Sequence, residues 1–82
     1  MYNIEWKESV LKDLQKLDKS IASRIYKKVG ELSKDPSSKD IQKLRGFDSY
    51  RLRIGDYRVI FDIEKNNIII LKVGHRKNIY YK

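Results

Sequence analysis

The stretch Tyr50-Arg51-Leu52-Arg53-Ile54-Gly55-Asp56-Tyr57-Arg58 sets three arginines at regular spacing around a Gly-Asp pair. Apolar and basic residues alternate on both sides of the pair, the period of a half-buried strand. A Gly-X pair between two such runs fits a two-residue type II′ hairpin loop. That loop fixes a register in which Ile54 faces Tyr57, Arg53 faces Arg58, Leu52 faces Val59 and Arg51 faces Ile60. Residues directly opposite in an antiparallel pair have Cβ atoms roughly 5 Å apart, and like charges placed so oppose folding. Three circumstances offset such a cost: screening by solvent, a neighbouring Asp62 on the same face, or an anion such as a phosphate held by guanidinium forks. On the residues alone, a solvated face and an anion site both stay open.

A second group of polar and aromatic residues follows the last apolar run: His75, Arg76, Tyr80 and Tyr81. Imidazole is the side chain suited to proton transfer near neutral pH, although a surface histidine at a strand end is the plainer reading of a lone His. A one-residue slip in the pairing of the last strand decides whether His75 or Arg76 shares the face of Arg58. Tyr80 and Tyr81 read either as late core residues or as a stacking pair for RNA bases. Lys43 and Arg45, in the segment KLRGF, add further positive charge.

The elements that must position these groups follow from periodicity. Tyr2, Ile4 and Trp6 alternate with Asn3 and Glu5, which predicts a short strand. Val10, Leu11, Leu14 and Leu17 have helical spacing, as do Ile21, Ile25, Val29 and Leu32. Asp18-Lys19-Ser20 separates the two sets with two candidate N-caps, so a helical hairpin is expected. Arg24, Lys27, Lys28 and Lys34 read most simply as the solvated face of the second helix, which Asp35-Pro36 ends. Residues 39–49 read as a loop or an irregular extended segment, then strands are predicted over Tyr50–Ile54, Tyr57–Ile63 and Ile68–Gly74, with a second tight turn at Glu64–Asn67. The last strand is apolar at nearly every position, the pattern of a central strand covered on both faces. The sum is a single α+β domain over residues 1–82, β-α-α-β-β-β, with the helical hairpin on one face of a small antiparallel sheet.

Composition bounds the function. The 82 residues are 40% hydrophobic and 37% charged, which suits a folded domain with one modest core. A formal charge of +8 favours a polyanionic partner: nucleic acid, an anionic membrane or an acidic protein. With no cysteine and one histidine, neither a disulfide nor a dedicated metal site is expected, and no cofactor is implied. No apolar run nears the roughly 20 residues that span a bilayer, and the N-terminal stretch lacks the apolar region of a signal peptide, so a cytoplasmic protein is expected.

The order of elements, the segment KLRG, then YRLRIGDYRVIF and the terminal GHRKNIY together resemble the RelE toxins of the RelE/ParE superfamily over essentially the whole chain. The resemblance implies a fold like that of microbial ribonucleases and a toxin that enters the ribosomal A site and cuts mRNA without metal. In that reaction the ribose 2′-hydroxyl attacks the adjacent phosphate. It also implies a cognate antitoxin that silences the toxin, and contact with operator DNA only through the toxin–antitoxin complex. By position, Arg51 and Arg53 match two family lysines, Arg58 the hairpin arginine, Arg76 the C-terminal arginine and Tyr80 the functional tyrosine. Lys43, Arg45 and Tyr81 are the further residues expected to touch RNA.

The departures bear on mechanism. Arginine stabilises charge but is a poor general base, so a base role held by a lysine is vacated at Arg51 and Arg53. His75 is the natural substitute, with Tyr80 sharing proton transfer or positioning. The chain stops soon after Tyr81, which implies that the C-terminal helix of some members is reduced to a stub. Two other readings compete: a ParE-like inhibitor of DNA gyrase, and a non-catalytic basic domain that binds RNA or an antitoxin.

Overall fold

The computed structural model describes residues 2–35, 40–44 and 49–79. Its elements are β1 (Asn3–Trp6), α1 (Glu8–Gln15), α2 (Lys19–Lys34), β2 (Ile41–Lys43), β3 (Tyr50–Ile54), β4 (Tyr57–Glu64) and β5 (Asn67–His75). The five strands form one sheet in the order β1-β5-β4-β3-β2. Two helices lie on one face of it, so the α+β helical-hairpin architecture read from the sequence holds.

Two details correct that reading. The sheet is mixed: β1 runs parallel to β5, Ile4 beside Ile68 and Trp6 beside Ile70, while the other pairings are antiparallel. Alternation in a strand is the same in either direction, so the pattern of residues 2–6 carries no information on polarity. The segment read as a loop or irregular extended chain contains an edge strand, Ile41–Lys43, paired with Leu52, Arg51 and Tyr50. Three residues, of which Gln42 and Lys43 are exposed, are too short and too polar to register as periodicity.

The helices are built by their apolar stripes. Val10 and Leu14 of α1 and Ile25, Val29 and Leu32 of α2 are buried against Leu52, Val59, Phe61, Ile68, Ile70 and Val73 of the sheet. Full burial of each such side chain stabilises the fold by roughly 1.5–3 kcal/mol before conformational entropy is counted. Asp18 takes the N-cap position of α2: its carbonyl accepts the Ala22 N–H at 2.9 Å, and its side chain makes no capping bond. Asp35, which precedes the proline in the sequence, is extended at φ −149° and ψ 96° and ends the helix. Near that end the Ser33 carbonyl accepts the Tyr2 N–H at 2.9 Å, tying the start of the chain to α2.

One irregularity matters for the site. Between Ile60 and Phe61 the β4–β5 register shifts, so Phe61 pairs with Ile70 but Ile60 pairs with Lys72. Leu71 is the extra residue of this bulge. The shift lets Ile70 and Val73 both face the helices while Lys72 stays exposed. It also explains an apolar run that follows neither a helical nor a strict alternating period. Ile69 and Leu71 are only half-buried, so β5 is central in the sheet but fully covered on one face alone.

Candidate anion-binding and active site

The hairpin is the scaffold of the site. Gly55 has φ +58°, and Asp56 is not in the positive-φ region, the signature expected of a type II′ loop. The register is the expected one, with Arg53 opposite Arg58 and Arg51 opposite Ile60.

The structure answers how two arginines are tolerated face to face. Each guanidinium turns away from the other. Arg53 Nη2 donates to Asp40 Oδ1 at 3.0 Å, just ahead of the edge strand, and the Arg53 N–H donates to the Asp40 carbonyl at 2.9 Å. Arg58 folds back over the turn, its Nη1 donating to the Gly55 carbonyl at 2.8 Å and the Tyr57 carbonyl at 2.9 Å. Arg51 donates to Gln42 Oε1 on the neighbouring strand. Asp62, one of the three offsets the sequence offered, accepts a 2.6 Å hydrogen bond from the Ser49 hydroxyl. Among the described residues, the carboxylates paired with the groove arginines are Asp40 and Asp56.

The bulge settles the one-residue slip. An unbroken pairing from Glu64–Asn67 would set Val73 against Arg58 and turn His75 to the arginine face. With the extra residue, Gly74 faces Arg58 and His75 faces Tyr57, on the side of the sheet that carries the helices. The His75 ring stands edge-on to Tyr57, 5.4 Å between centroids at 81°. Its Nδ1 accepts the Lys77 N–H at 3.2 Å and its carbonyl accepts the Asn78 N–H at 2.8 Å, so His75 caps the turn that follows β5. Arg76 is the residue that joins Arg58. Its N–H donates to the Asp56 carbonyl at 2.8 Å, and its Nε lies 3.8 Å from Asp56 Oδ1.

Arg53, Arg58 and Arg76 thus line one open groove of about 550 Å³ at the hairpin tip. The groove has a wall that the sequence reading missed: Arg24 and Lys28 of α2 line it as well. Helical spacing marked them as a solvated face, and only the packing of α2 beside the hairpin brings them to the site. Asp40 and Asp56 are the carboxylates in the lining, so five cations face two anions. Such an excess at an open surface suits a phosphate group, which arginine forks bind bidentately.

The remaining site residues separate. Arg51 lies alongside on β3 but does not line the groove, and neither does His75. Lys43 lies in a different depression with Tyr50, Asp62 and Glu64, away from the arginines. Arg45, Tyr80 and Tyr81 fall outside the described residues. The last described residue, Ile79, is buried and folds back beneath Gly74, holding the post-β5 turn against the sheet. Among the described residues, no group of three or more His, Cys, Asp or Glu side chains could hold a metal ion. No helix among the described residues is long and apolar enough to cross a membrane.

This basic hairpin on a helix-backed sheet has close relatives. A family model described as the ParE toxin of the type II toxin–antitoxin system parDE matches residues 4–80. Toxin RelE3 of Methanocaldococcus jannaschii is 33% identical, with 89% of each chain covered. The mRNA interferase toxin RelE of Escherichia coli K12 is 31% identical over 93% of this chain and 84% of that one. Among solved structures, the archaeal RelE–RelB complex of Pyrococcus horikoshii superposes with a TM-score of 0.83 at 34% identity, covering 95% of this chain and 98% of that one. The chain therefore belongs to the RelE/ParE family of type II toxin–antitoxin toxins, as a RelE-type member.

Proposed function

We propose that the chain is a ribosome-dependent endoribonuclease that cuts mRNA in the A site and is silenced by a cognate antitoxin. The observation that carries this reading is the convergence of Arg53, Arg58 and Arg76 on one groove, with Arg51 on the adjoining strand. In the reaction, the 2′-oxygen attacks phosphorus and the bond to the 5′-oxygen breaks. The products are a 2′,3′-cyclic phosphate and a 5′-hydroxyl; one proton leaves the 2′-hydroxyl and one reaches the 5′-oxygen. The arginines stabilise the extra negative charge on the pentacovalent phosphorane. His75 and Tyr80 are assigned to proton transfer and positioning, His75 acting from the turn after β5 that carries Arg76 and not from within the groove. The names of relatives support this reading, two of them being called mRNA interferases. Complexes of RelE with RelB among the structural neighbours support an antitoxin partner. We further assign operator DNA contact to the antitoxin complex alone, and a cytoplasmic site of action.

One observation favours a second reading, poisoning of DNA gyrase: the matching family model is described by its ParE members. A translation extract separates the two. The nuclease reading expects mRNA cut at the ribosome by the wild type and not by Arg58→Ala or Arg76→Ala. Gyrase-linked DNA breaks with intact mRNA would refute it.

A further inference from the structure

We propose that Arg24 and Lys28 of α2 form a phosphate subsite that grips the RNA backbone next to the scissile phosphate. The inference rests on the nuclease reading above and extends its substrate contacts from the sheet onto a helix.

Arg24 and Lys28 are four residues apart, so they project from the same face of α2 one turn apart. That face closes one side of the groove whose other cations are Arg53, Arg58 and Arg76. The approach is close. A Cβ built on Gly55 would lie 3.4 Å from Arg24 Nη1, so the guanidinium rests against the hairpin turn.

The charge pattern sets Arg24, with Arg58, apart from the other cations of the groove. Arg53 and Arg76 face Asp40 and Asp56, and Lys28 lies 3.9 Å from Glu31. Among the described residues, Arg24 has no carboxylate within ion-pair distance. It is an exposed arginine, held over a turn beside three others and not neutralised by the protein. An extended polyanion satisfies such a row where a single phosphate would not, because successive backbone phosphates present charge along a line. The ligand chemistry is a phosphodiester of single-stranded RNA. Its source is either the mRNA strand being cut or ribosomal RNA beside it.

The test compares Arg24→Gln and Arg24→Gln/Lys28→Gln with Lys12→Gln. Lys12→Gln makes the same charge change as Arg24→Gln, on α1 and outside the groove. Glutamine and arginine have similar helix propensity, and thermal unfolding checks that each variant is folded. Binding is measured with a fluorescein-labelled single-stranded RNA made uncleavable by 2′-O-methyl groups, across a salt series. Cleavage is measured in parallel on programmed ribosomes. Each lost phosphate contact lowers the slope of log affinity against log salt by about 0.7, or about fivefold in affinity at 0.1 M salt. Loss of this size with the oligonucleotide, for Arg24→Gln but not Lys12→Gln, supports the subsite with mRNA as the source. Loss confined to the apparent KM on ribosomes supports it with ribosomal RNA as the source. Equal behaviour of Arg24→Gln and Lys12→Gln in both assays overturns it. If the wild type cuts no mRNA on ribosomes, the nuclease reading falls, and this inference with it.

Discussion

Replacing Arg53 should be nearly neutral in the native protein and stabilising once Asp40 is neutralised. Two opposing terms act on this arginine. Its ion pair with Asp40 is well aligned at 3.0 Å, but the side chains are 63% and 36% exposed. A pair so open to solvent is worth about 0.2–1 kcal/mol. Against it stands the cross-strand repulsion from Arg58, of similar size for residues directly opposite. Arg53→Gln removes both, so stability should stay within about 0.5 kcal/mol of the wild type. Asp40→Asn keeps an oxygen that can accept from Arg53 and removes the attraction between charges, which should cost roughly 0.5 kcal/mol. In that background Arg53→Gln removes mainly repulsion and should recover about the same amount. For a domain of this size these changes correspond to melting shifts of roughly 2–4 °C in opposite directions. Thermal unfolding by circular dichroism at low salt reads all four proteins of the cycle. Repeating it at 1 M salt, where the Debye length is about 3 Å, should shrink the coupling. An Arg53→Gln penalty that is equal in both backgrounds would refute the reasoning, since Asp40 would then not be what makes Arg53 tolerable.

Two glycines give a matched test of the backbone argument. Gly55→Ala forces a Cβ into φ +58° and should cost about 1–2 kcal/mol, the flexible end of Arg24 yielding cheaply. Gly30→Ala adds a Cβ with nothing within 4 Å in the middle of α2 and should stabilise by about 0.5–1 kcal/mol, both effects read from thermal melts. His75→Asn preserves an acceptor for the Lys77 N–H but cannot transfer a proton. If His75 transfers a proton, ribosomal cleavage should fall about 10²–10⁴-fold. Near-wild-type cleavage would reduce His75 to a cap of the turn that carries Arg76. Ile79→Ala should lower stability by about 2 kcal/mol, because it empties a buried site under the post-β5 turn.

How far the sequence could be read depended on whether the deciding information was local. The Gly55-Asp56 loop is local chemistry: glycine at a positive-φ position selects the turn, and the turn sets every pairing of β3 with β4. The opposition of Arg53 and Arg58 was therefore legible. The face of Arg76 was not, because it depends on a bulge at Ile60/Phe61 whose only trace is an apolar run without strict alternation. The parallel partner of β1 and the place of Arg24 are tertiary facts, fixed by how the helices cross the sheet. Arg24 has the same local pattern as any solvated helix arginine. The counter-ions were not legible for a similar reason: Asp62 shares the arginine face but Ser49 takes its carboxylate, while Asp40 stands just ahead of a strand too short to detect.

The parallel pairing of the first strand with the last also bears on how the chain folds as it is made. Residues 3–6 are synthesised well before their partners, residues 67–70. The helical hairpin is likewise complete long before β4 and β5 exist to cover its apolar stripe. Contacts so distant in sequence make closure slow, and they leave hydrophobic surface exposed in the meantime. A nascent chain of this design stays unfinished until β5 has emerged. The arginine groove, which needs α2, the hairpin and Arg76 together, assembles last.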